Sequence, residues 1–351
     1  MHTEFLASSE ANVFSTTVIG AAPSNIALVK YWGKYAGQIP ANPSISYTLK
    51  NCNTQSQMRF DAQKTFGVEL FLAGEKNEAF ASKIEKYFKS IEPYLPWITK
   101  GYYEIHTLNS FPHSSGIASS ASGFAALAKC LMALDKEFGS TLSEKESLQK
   151  ASFLARLGSG SAARSLHEGL VVWGEIPELE ESSSLYGKPY PSSEVHPIFR
   201  SFNDWVLLIH EGEKSVSSTV GHSLMNGHPY AKRRFEEAKE NLSELLRILK
   251  AGDLLAFIKL VEHEALTLHA LMMMSDPAYL LMKAETLEVI NAIWKFRKET
   301  SHPLFFTLDA GANVHLLFPQ DESRAAITSF IEEKLKPLSQ KGGIVKDEMV
   351  F

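Results

Sequence analysis

Two hydrophobic periods alternate along the first third of the chain, and each period predicts a different kind of element. Residues 16–30, TTVIGAAPSNIALVK, are β-branched and apolar around one proline, which predicts two strands separated by a break. In residues 56–72, SQMRFDAQKTFGVELFL, polar side chains alternate with apolar ones, which predicts a β-hairpin. Apolar positions at helical spacing over residues 78–91 predict an amphipathic helix, and residues 101–112, GYYEIHTLNSFP, predict a further strand.

The remainder of the chain mixes helical and strand patterns in the same way. Residues 175–197 are rich in proline, serine and glutamate and lack apolar periodicity, which predicts a connection between domains. The other predicted elements are helices over 121–134, 143–156, about 232–274 and 283–298, strands at DWVLLIH, LFFTLDA, NVHLLF and GGIVKDEM, and a helix at SRAAITSFIEEKL. Because both halves mix strands with helices, we predict an α+β fold in two domains, residues 1–197 and 198–351.

Composition narrows the class of protein. The chain has 351 residues, 44% hydrophobic and 21% charged, and its net charge of −5 argues against a broad basic surface for nucleic acid. Cys52 and Cys130 lack metal-site spacing, so we expect buried free thiols in a reducing cytosol, or one disulfide at most. The start, MHTEFLASSEANVF, has no signal-peptide pattern, and no apolar run reaches the roughly 18 residues that span a bilayer. We therefore expect a cytoplasmic protein.

A run of small and hydroxylated residues stands directly before the helix predicted over 121–134. The stretch FPHSSGIASSASGFAALAKCLMAL, residues 111–134, offers no large side chain in its first half. A helix N-terminus carries unpaired N–H groups and a partial positive charge, so this run is a candidate phosphate-binding loop. The ordinary interpretation is a serine N-cap after a surface turn. No Gly-Lys-Ser/Thr follows, so the run is not a Walker A loop.

Three further stretches strengthen the phosphate hypothesis. Residues 155–169, ARLGSGSAARSLHEG, form a second small-residue run that contains Arg164, a side chain suited to bidentate phosphate binding. Residues 25–35, NIALVKYWGKY, bring two lysines near a tyrosine, and TLDAGAN places Asp309 in a turn between apolar strands. Singly, each has an ordinary interpretation: surface lysines, core aromatics and a turn-forming aspartate. Together they supply two phosphate cradles, cations and a carboxylate, which favours phosphoryl transfer.

Four motifs closely resemble the diphosphomevalonate decarboxylase family of the GHMP kinase superfamily: APSNIALVKYWGK, FPHSSGIASSASGFAAL, ARLGSGSAARS and FFTLDAGANVHLL. The resemblance covers nearly the whole chain, with the motifs in the family's order. It implies an N-terminal domain like the second domain of ribosomal protein S5, a ferredoxin-like C-terminal domain, and an active site between them. It also implies a homodimer that uses ATP and Mg²⁺ to convert (R)-5-diphosphomevalonate into isopentenyl diphosphate, ADP, phosphate and CO₂, in the mevalonate pathway of isoprenoid biosynthesis.

The resemblance also implies roles for single residues. Asp309 matches the aspartate that orients or deprotonates the substrate's tertiary hydroxyl, and Lys30 matches the lysine beside it. Arg164 matches the arginine that holds substrate oxygens, supported by Asn25. The other implied positions are Tyr31, Lys34, Ser159 and Ser161 for the diphosphate, Ser218 and Thr219 for closing the site, Ser120 near the transferred phosphoryl group, and Asn109, Ser114, Ser115, Gly116, Ala118, Ser119 and Ser120 for the nucleotide. The metal ligands remain open.

Other functions remain alternatives at this level. The chain could be a GHMP enzyme that only phosphorylates, a decarboxylase of the monophosphate, or a non-catalytic binding module with the same fold. Two stretches depart from the family pattern: His113 in the first loop, and TVGHSLMNGHPYAKRRF after the Ser-Thr segment. Residues 262–264 with His269 resemble a metal cluster, but their spacing differs from His-Glu-x-x-His, so we interpret them as helix-surface residues.

Overall fold

The computed structural model describes residues 2–6, 11–112, 116–210, 212 and 216–350. Its strands are β1 Thr16–Val29, β2 Lys34–Tyr35, β3 Ile39–Pro40, β4 Ser44–Asp61, β5 Gly67–Leu72, β6 Glu75–Lys76, β7 Tyr102–Asn109, β8 Val171–Trp173, β9 Lys188–Pro189, β10 Phe202–Leu207, β11 Phe305–Thr307, β12 Val314–Pro319 and β13 Ile344–Val350. Its α-helices are α1 Glu78–Ile91, α2 Ser119–Glu137, α3 Glu144–Gly158, α4 Ser218–Ser223, α5 Ala231–Ala251, α6 Leu254–Met273, α7 Ala284–Thr300 and α8 Arg324–Phe330.

The long strand β4 joins the two halves of the chain into one sheet. The described strands form an 11-stranded sheet with the path β11-β12-β10-β13-β4-β7-β5-β6, while β1 and β8 also pair with β4, and β9 pairs with β8. The 18 residues of β4 are enough to pair with β1, β7 and β8 of the first half and with β13 of the second. The pairs are antiparallel apart from β5–β7, which is parallel.

The hairpin predicted over residues 56–72 is wrong. β7 lies between β4 and β5, antiparallel to the first and parallel to the second. Ile105 of β7 stands opposite both Met58 and Leu70, and all three side chains are fully buried. The alternating pattern correctly predicts two strands, but such a pattern carries no information about which strand each one pairs with.

The proline in residues 16–30 shifts the strand pairing without ending the strand. Two strands were predicted, whereas β1 runs continuously to Val29. The register against β4 shifts between Pro23 and Asn25, because proline has no N–H to donate to the ladder. The helices agree better with the sequence: α1 has the predicted bounds, α2 encloses the predicted range, and α3 begins one residue later and ends two residues later than predicted.

Helices cover both halves of the sheet and confirm the predicted α+β class. Helices α1 to α3 pack on the first half, where Phe124 of α2 lies in one core with Phe60 of β4. In the second half, Phe257 of α6 packs on one face of the sheet and Ile293 of α7 on the other. The two cysteines are free and buried, as predicted. None of the helices in the described part of the chain is apolar over a length that could cross a membrane. The domain boundary after residue 197 stays a prediction.

Candidate active site

One cleft collects the predicted site residues from both halves of the chain. It has a volume of about 720 Å³ and is lined by the end of β1, the loop after α3, the start of α2, the start of α4 and the turn after β11. The predicted residues that line it are Asn25, Lys30, Tyr31, Lys34, Gly116, Ala118, Ser119, Ser120, Ser159, Ser161, Arg164, Ser218, Thr219 and Asp309. Residues separated by up to 284 positions, from Asn25 to Asp309, therefore meet in one place.

Lys30 and Asp309 form an ion pair in this cleft. Lys30 Nζ lies 3.0 Å from Asp309 Oδ1, and the lysine side chain is only 2% exposed while the aspartate side chain is 26% exposed. Asp309 lies after β11 in the turn that leads to β12, and its backbone oxygen lies 3.2 Å from His269 Nε2. The cation is thus buried behind the carboxylate, which keeps part of its surface for a ligand.

A second, fully buried ion pair fixes the backbone of Lys30. Glu264 accepts a hydrogen bond from the Lys30 N–H at 2.8 Å, and Arg234 donates to the Lys30 carbonyl at 3.1 Å. Arg234 also donates to both carboxylate oxygens of Glu264, at 2.7 and 2.6 Å. Burial opposes the charge of Glu264, but Arg234 and these hydrogen bonds hold its pKa below the usual value. Helices α5 and α6, in the second half of the chain, thereby fix the position of Lys30, which belongs to the first half.

The interpretation of residues 262–264 and His269 as helix-surface residues is therefore wrong for three of the four. Glu262, Glu264 and His269 are buried, and His263 alone is exposed. Glu262 binds Arg297 of α7, so both glutamates serve ion pairs inside the fold. A helix that packs on both sides buries more than one stripe, which the surface interpretation did not allow for. No group of three His, Cys, Asp or Glu side chains in the described ranges could hold a metal ion.

Arg164 is buried at the wall of the cleft and bound to neutral oxygens. Its Nε donates to Ser46 Oγ at 3.0 Å and to Asn25 Oδ1 at 3.3 Å, and its Nη1 donates to Ser44 Oγ at 2.6 Å. Burial lowers the pKa of Arg164 to about 10, although the charge of Asp309 opposes this effect. The guanidinium still carries its charge at neutral pH, so the wall attracts an anionic group.

Lys34 and Lys83 add two more cations at the same cleft. Lys34 Nζ donates to the neutral Gln38 Oε1 at 2.8 Å, and burial together with the charge of Lys83 lowers the pKa of Lys34. Lys83 comes from α1, lies 5.3 Å from the ring centre of Phe124, and has its pKa lowered by partial burial. The charge of Lys83 disfavours that of Lys34, and burial disfavours both charges, so an anion bound beside them would stabilise both.

The two small-residue runs lie side by side. Ser120 Oγ donates to Ser159 Oγ at 3.3 Å, which connects the start of α2 to the loop after α3. Ala118 precedes the helix in the left-handed conformation, with φ of 40°, and Gly116 has φ of 85°. Ser114 and Ser115, predicted to bind nucleotide, lie outside the described residues, as does His113.

Asn109, also predicted to bind nucleotide, does not line the cleft in the described part of the chain. Its Oδ1 accepts a hydrogen bond from Thr54 Oγ1 at 2.8 Å, and Thr54 in turn lies 2.6 Å from Ser122 Oγ of α2. This arrangement fastens the end of β7 to β4 and to the helix. A nucleotide-binding role for Asn109 stays a prediction.

Several lining residues were not predicted from the sequence. Besides Lys83 and Gln38 they include Trp32, Ser217 and His222. Lys83 belongs to a regular amphipathic helix and no motif distinguishes it, so only the fold could reveal it. His222 lies in the segment that departs from the family pattern, and that departure was the available signal.

Comparisons with known proteins agree with the geometry. The family model described as "Diphosphomevalonate decarboxylase-like N-terminal domain" matches residues 22–185, and the model "Mevalonate 5-diphosphate decarboxylase C-terminal domain" matches residues 205–350. The diphosphomevalonate decarboxylase of Saccharomyces cerevisiae is 30% identical over 328 residues, covering 88% of this chain and 79% of that protein.

Solved structures show the same similarity in three dimensions. The mevalonate diphosphate decarboxylase from Staphylococcus aureus superposes with a TM-score of 0.81 at 29% identity, covering 96% of each chain. A structure described as a complex with MVAPP, AMPPCP and magnesium superposes with a TM-score of 0.80 at 26% identity, covering 95% of this chain and 98% of that one. The predicted GHMP kinase fold is confirmed by this likeness.

Proposed function

This chain belongs to the diphosphomevalonate decarboxylase family, and on that premise we propose that it decarboxylates (R)-5-diphosphomevalonate at the expense of ATP. The products are isopentenyl diphosphate, ADP, phosphate and CO₂. The observation that carries the proposal is the Lys30–Asp309 pair, 3.0 Å apart, in a cleft that also contains Arg164, Lys34 and Lys83. One carboxylate beside several cations suits a substrate with many negative charges and one hydroxyl that must lose its proton.

The chemistry explains why a decarboxylase needs a nucleotide. Removal of CO₂ from a saturated acid leaves an electron pair that must displace a group from the adjacent carbon. A tertiary hydroxyl leaves poorly, so its oxygen first takes the γ-phosphoryl group of ATP. Departure of that phosphate develops positive charge on the carbon, and the C–C bond to the carboxylate then supplies the electrons of the alkene. Positioning and electrostatics supply most of such catalysis.

Asp309 and Lys30 act on the hydroxyl in this proposal. The exposed part of the Asp309 carboxylate accepts the hydroxyl proton or its hydrogen bond. Glu264 and Arg234 hold the backbone of Lys30, and its side chain is only 2% exposed, so the ammonium group stays beside Asp309. A fixed, buried cation 3.0 Å from Asp309 favours the ionised carboxylate and aims it into the cleft.

The remaining lining residues divide between the two anionic substrates. Arg164, held by Asn25, binds the carboxylate or phosphate oxygens of diphosphomevalonate. Tyr31, Lys34, Ser159 and Ser161 bind its diphosphate, and Ser218 and Thr219 close on it from the second half of the chain. The start of α2 around Gly116, Ala118, Ser119 and Ser120 receives the ATP phosphates in this proposal, because a helix N-terminus attracts anions and these residues line the cleft.

Mg²⁺ fits these residues as a partner of the nucleotide. Mg²⁺ prefers oxygen ligands and keeps several waters, so one or two protein oxygens together with phosphates suffice. Among the described lining residues, Ser119 and Ser120 supply hydroxyl oxygens at the nucleotide loop. When bound, the ion would neutralise phosphate charge, and these two hydroxyls would supply its protein oxygens.

Product analysis tests the function. The protein is incubated with ATP, Mg²⁺ and, separately, mevalonate, phosphomevalonate or diphosphomevalonate, while CO₂, phosphate and ADP are measured. We expect one CO₂ and one phosphate per ADP, with the highest kcat/KM for diphosphomevalonate. ADP with a stable phosphorylated product and no CO₂ would identify a kinase, and a higher kcat/KM for phosphomevalonate would identify a monophosphate decarboxylase. No turnover of any ester would support a binding module.

We extend the proposal to the setting of the enzyme. Membership of the family supports a homodimer, and the two buried free cysteines are compatible with the reducing cytoplasm. Light scattering of the purified protein distinguishes a dimer of about 78 kDa from the 39.0 kDa chain.

A further inference from the structure

His222 is held rigidly at the side of the cleft by aromatic neighbours. Its ring centre lies 4.3 Å from that of Tyr31 and 4.5 Å from that of Trp32, and the residue is 8% exposed. Gly221, its neighbour on α4, has no room for a side chain: a Cβ there would lie 2.7 Å from both Trp32 and Tyr279. The helix therefore packs directly on Trp32, which leaves the imidazole little freedom to rotate.

A hydrogen bond from Gly33 determines which tautomer of the His222 ring is present. The Gly33 N–H donates to His222 Nδ1 at 3.0 Å, and a backbone N–H can only donate, so Nδ1 must be unprotonated. Gly33 has φ of 101°, which favours glycine, and a Cβ there would come within 2.9 Å of Phe235. The neutral ring consequently carries its proton on Nε2, which has no hydrogen-bond partner among the described residues.

The surroundings of His222 favour this neutral form. Burial, together with the positive charges of Lys34 and Arg164, lowers the pKa of His222 to about 3. The same two cations line the cleft with it. A neutral donor is compatible with these neighbours, whereas a third cation would be repelled by both.

We propose that His222 is a substrate-binding residue that donates a hydrogen bond from Nε2 to a phosphate oxygen of the diphosphate group. This inference rests on the proposed function and adds a donor that the sequence motifs do not contain. The ring lies against Tyr31 and beside Lys34, which are the residues proposed to bind the same group. Gly33 thus acts through the imidazole, because its N–H keeps the proton on the nitrogen that can reach the ligand.

Two substitutions separate the donor from the rest of the ring. His222→Asn keeps an oxygen near the position of Nδ1 to accept from Gly33, but removes the donor at Nε2. His222→Gln places an amide N–H near Nε2 and loses the acceptor for Gly33. We expect KM for diphosphomevalonate to rise about ten- to a hundred-fold in the Asn variant and by less than about threefold in the Gln variant, since a hydrogen bond to a charged group has that strength. KM for ATP should stay unchanged in both.

Direct binding supplies a second readout. The affinity of inorganic pyrophosphate, measured by calorimetry without nucleotide, should fall in the Asn variant by a similar factor and remain in the Gln variant. The matched control is His263→Asn, on the exposed side of α6. A wild-type KM and pyrophosphate affinity in the Asn variant, or equal losses in the Asn and Gln variants, would overturn the proposal. Failure of the wild-type protein to turn over diphosphomevalonate would instead refute the proposed function, and the two failures are therefore distinguishable.

Discussion

The Asp309 carboxylate is short, lies in a turn between two strands, and has a buried lysine at 3.0 Å. We expect Asp309→Asn to lower kcat by about 10²–10⁴-fold, because the amide keeps the size of the side chain but cannot accept the hydroxyl proton. ATP affinity should stay within about threefold of wild type, because the nucleotide loop at α2 belongs to a different element. Steady-state kinetics and calorimetric titration with ATP measure the two quantities. An Asn variant with most of its activity would show that another residue is the base.

Substitutions of Arg164 can separate the effect of its positive charge on substrate binding from that of its planar guanidinium geometry. Its Nε and Nη1 donate to Ser44, Ser46 and Asn25, which orients the planar guanidinium. We expect Arg164→Ala to lose about ten- to a few hundred-fold in kcat/KM, the strength of a charge-assisted hydrogen bond. Arg164→Lys should lose nearly as much, because a lysine keeps the charge but cannot donate in this fork geometry. Thermal melting of both variants provides the control for folding, and wild-type kinetics of the Lys variant would show that charge alone matters.

The sequence motifs predicted the site residues that lie in small-residue loops and in turns. They missed the site residues that lie in regular helices. Ser120, Ser159 and Asp309 stand in stretches whose composition already demands a function or a turn. Lys83 is an ordinary lysine of an amphipathic helix, and it belongs to the site because it lines the cleft and its charge acts on Lys34. Its position could not be predicted, because distances between elements follow from packing and not from local periodicity.

At the scale of elements, one buried carboxylate holds the last strand against the centre of the sheet. Asp347 of β13 is 2% exposed and accepts hydrogen bonds from the backbone N–H groups of Asn51 and Cys52 in β4, at 2.9 and 2.6 Å. Asp347→Ala removes the partner of both donors, and the buried Cys52 N–H is left unpaired, which costs about 1–3 kcal/mol. We expect a lower urea midpoint with an unchanged slope. Glu348→Gln, next to it, is the control: its side chain is 39% exposed and pairs with the exposed Lys50, a contact that contributes little to stability. Equal midpoints for the two variants would contradict this account.

The sequence predicted the bounds of an element best where the signals that start the element and bury one face lie within the element itself. The bounds of α1 agree with the prediction because Asn77 caps the helix and apolar residues mark one face. The pairing of β4 and β5 was mispredicted because β7, more than thirty residues later, inserts between them. Strand order depends on contacts that are distant in sequence, so alternation within 56–72 could not determine it.

At the scale of the whole molecule, one continuous sheet brings the two halves of the site together. β13 of the second half pairs with β4 of the first half through Met349 and Val350. The buried Glu264–Arg234 pair, also in the second half, binds the backbone of Lys30 in the first half. The family resemblance of the motifs implied a cleft between two domains. They could not predict that the halves share a sheet, because the joining strand is the last one and carries no motif.

The stability of the whole molecule should depend on pH through histidines that the fold buries wholly or in part. Burial lowers the pKa of His167 to about 4 and that of His222 to about 3, with Lys129 and Lys34 as the next causes respectively. Below pH 6.5 the unfolded chain protonates these rings while the folded protein does not, so folded-state stability falls as the pH falls. His315 behaves oppositely: burial disfavours its charge, but the Asp204 carboxylate raises its pKa, so its contribution is present below pH 6.5 and is lost as the pH rises through the raised value.

The contributions of the histidines with lowered pKa predict that one substitution changes the pH dependence of the free energy of unfolding. Each depressed histidine adds a slope of at most about 1.4 kcal/mol per pH unit between its folded pKa and 6.5. We expect the free energy of unfolding to fall between pH 6.5 and pH 5, and His167→Gln to reduce that slope, since glutamine takes up no proton. Urea titrations at several pH values measure it, and parallel curves for wild type and His167→Gln would show that His167 is protonated equally in both states and is not shielded by the fold.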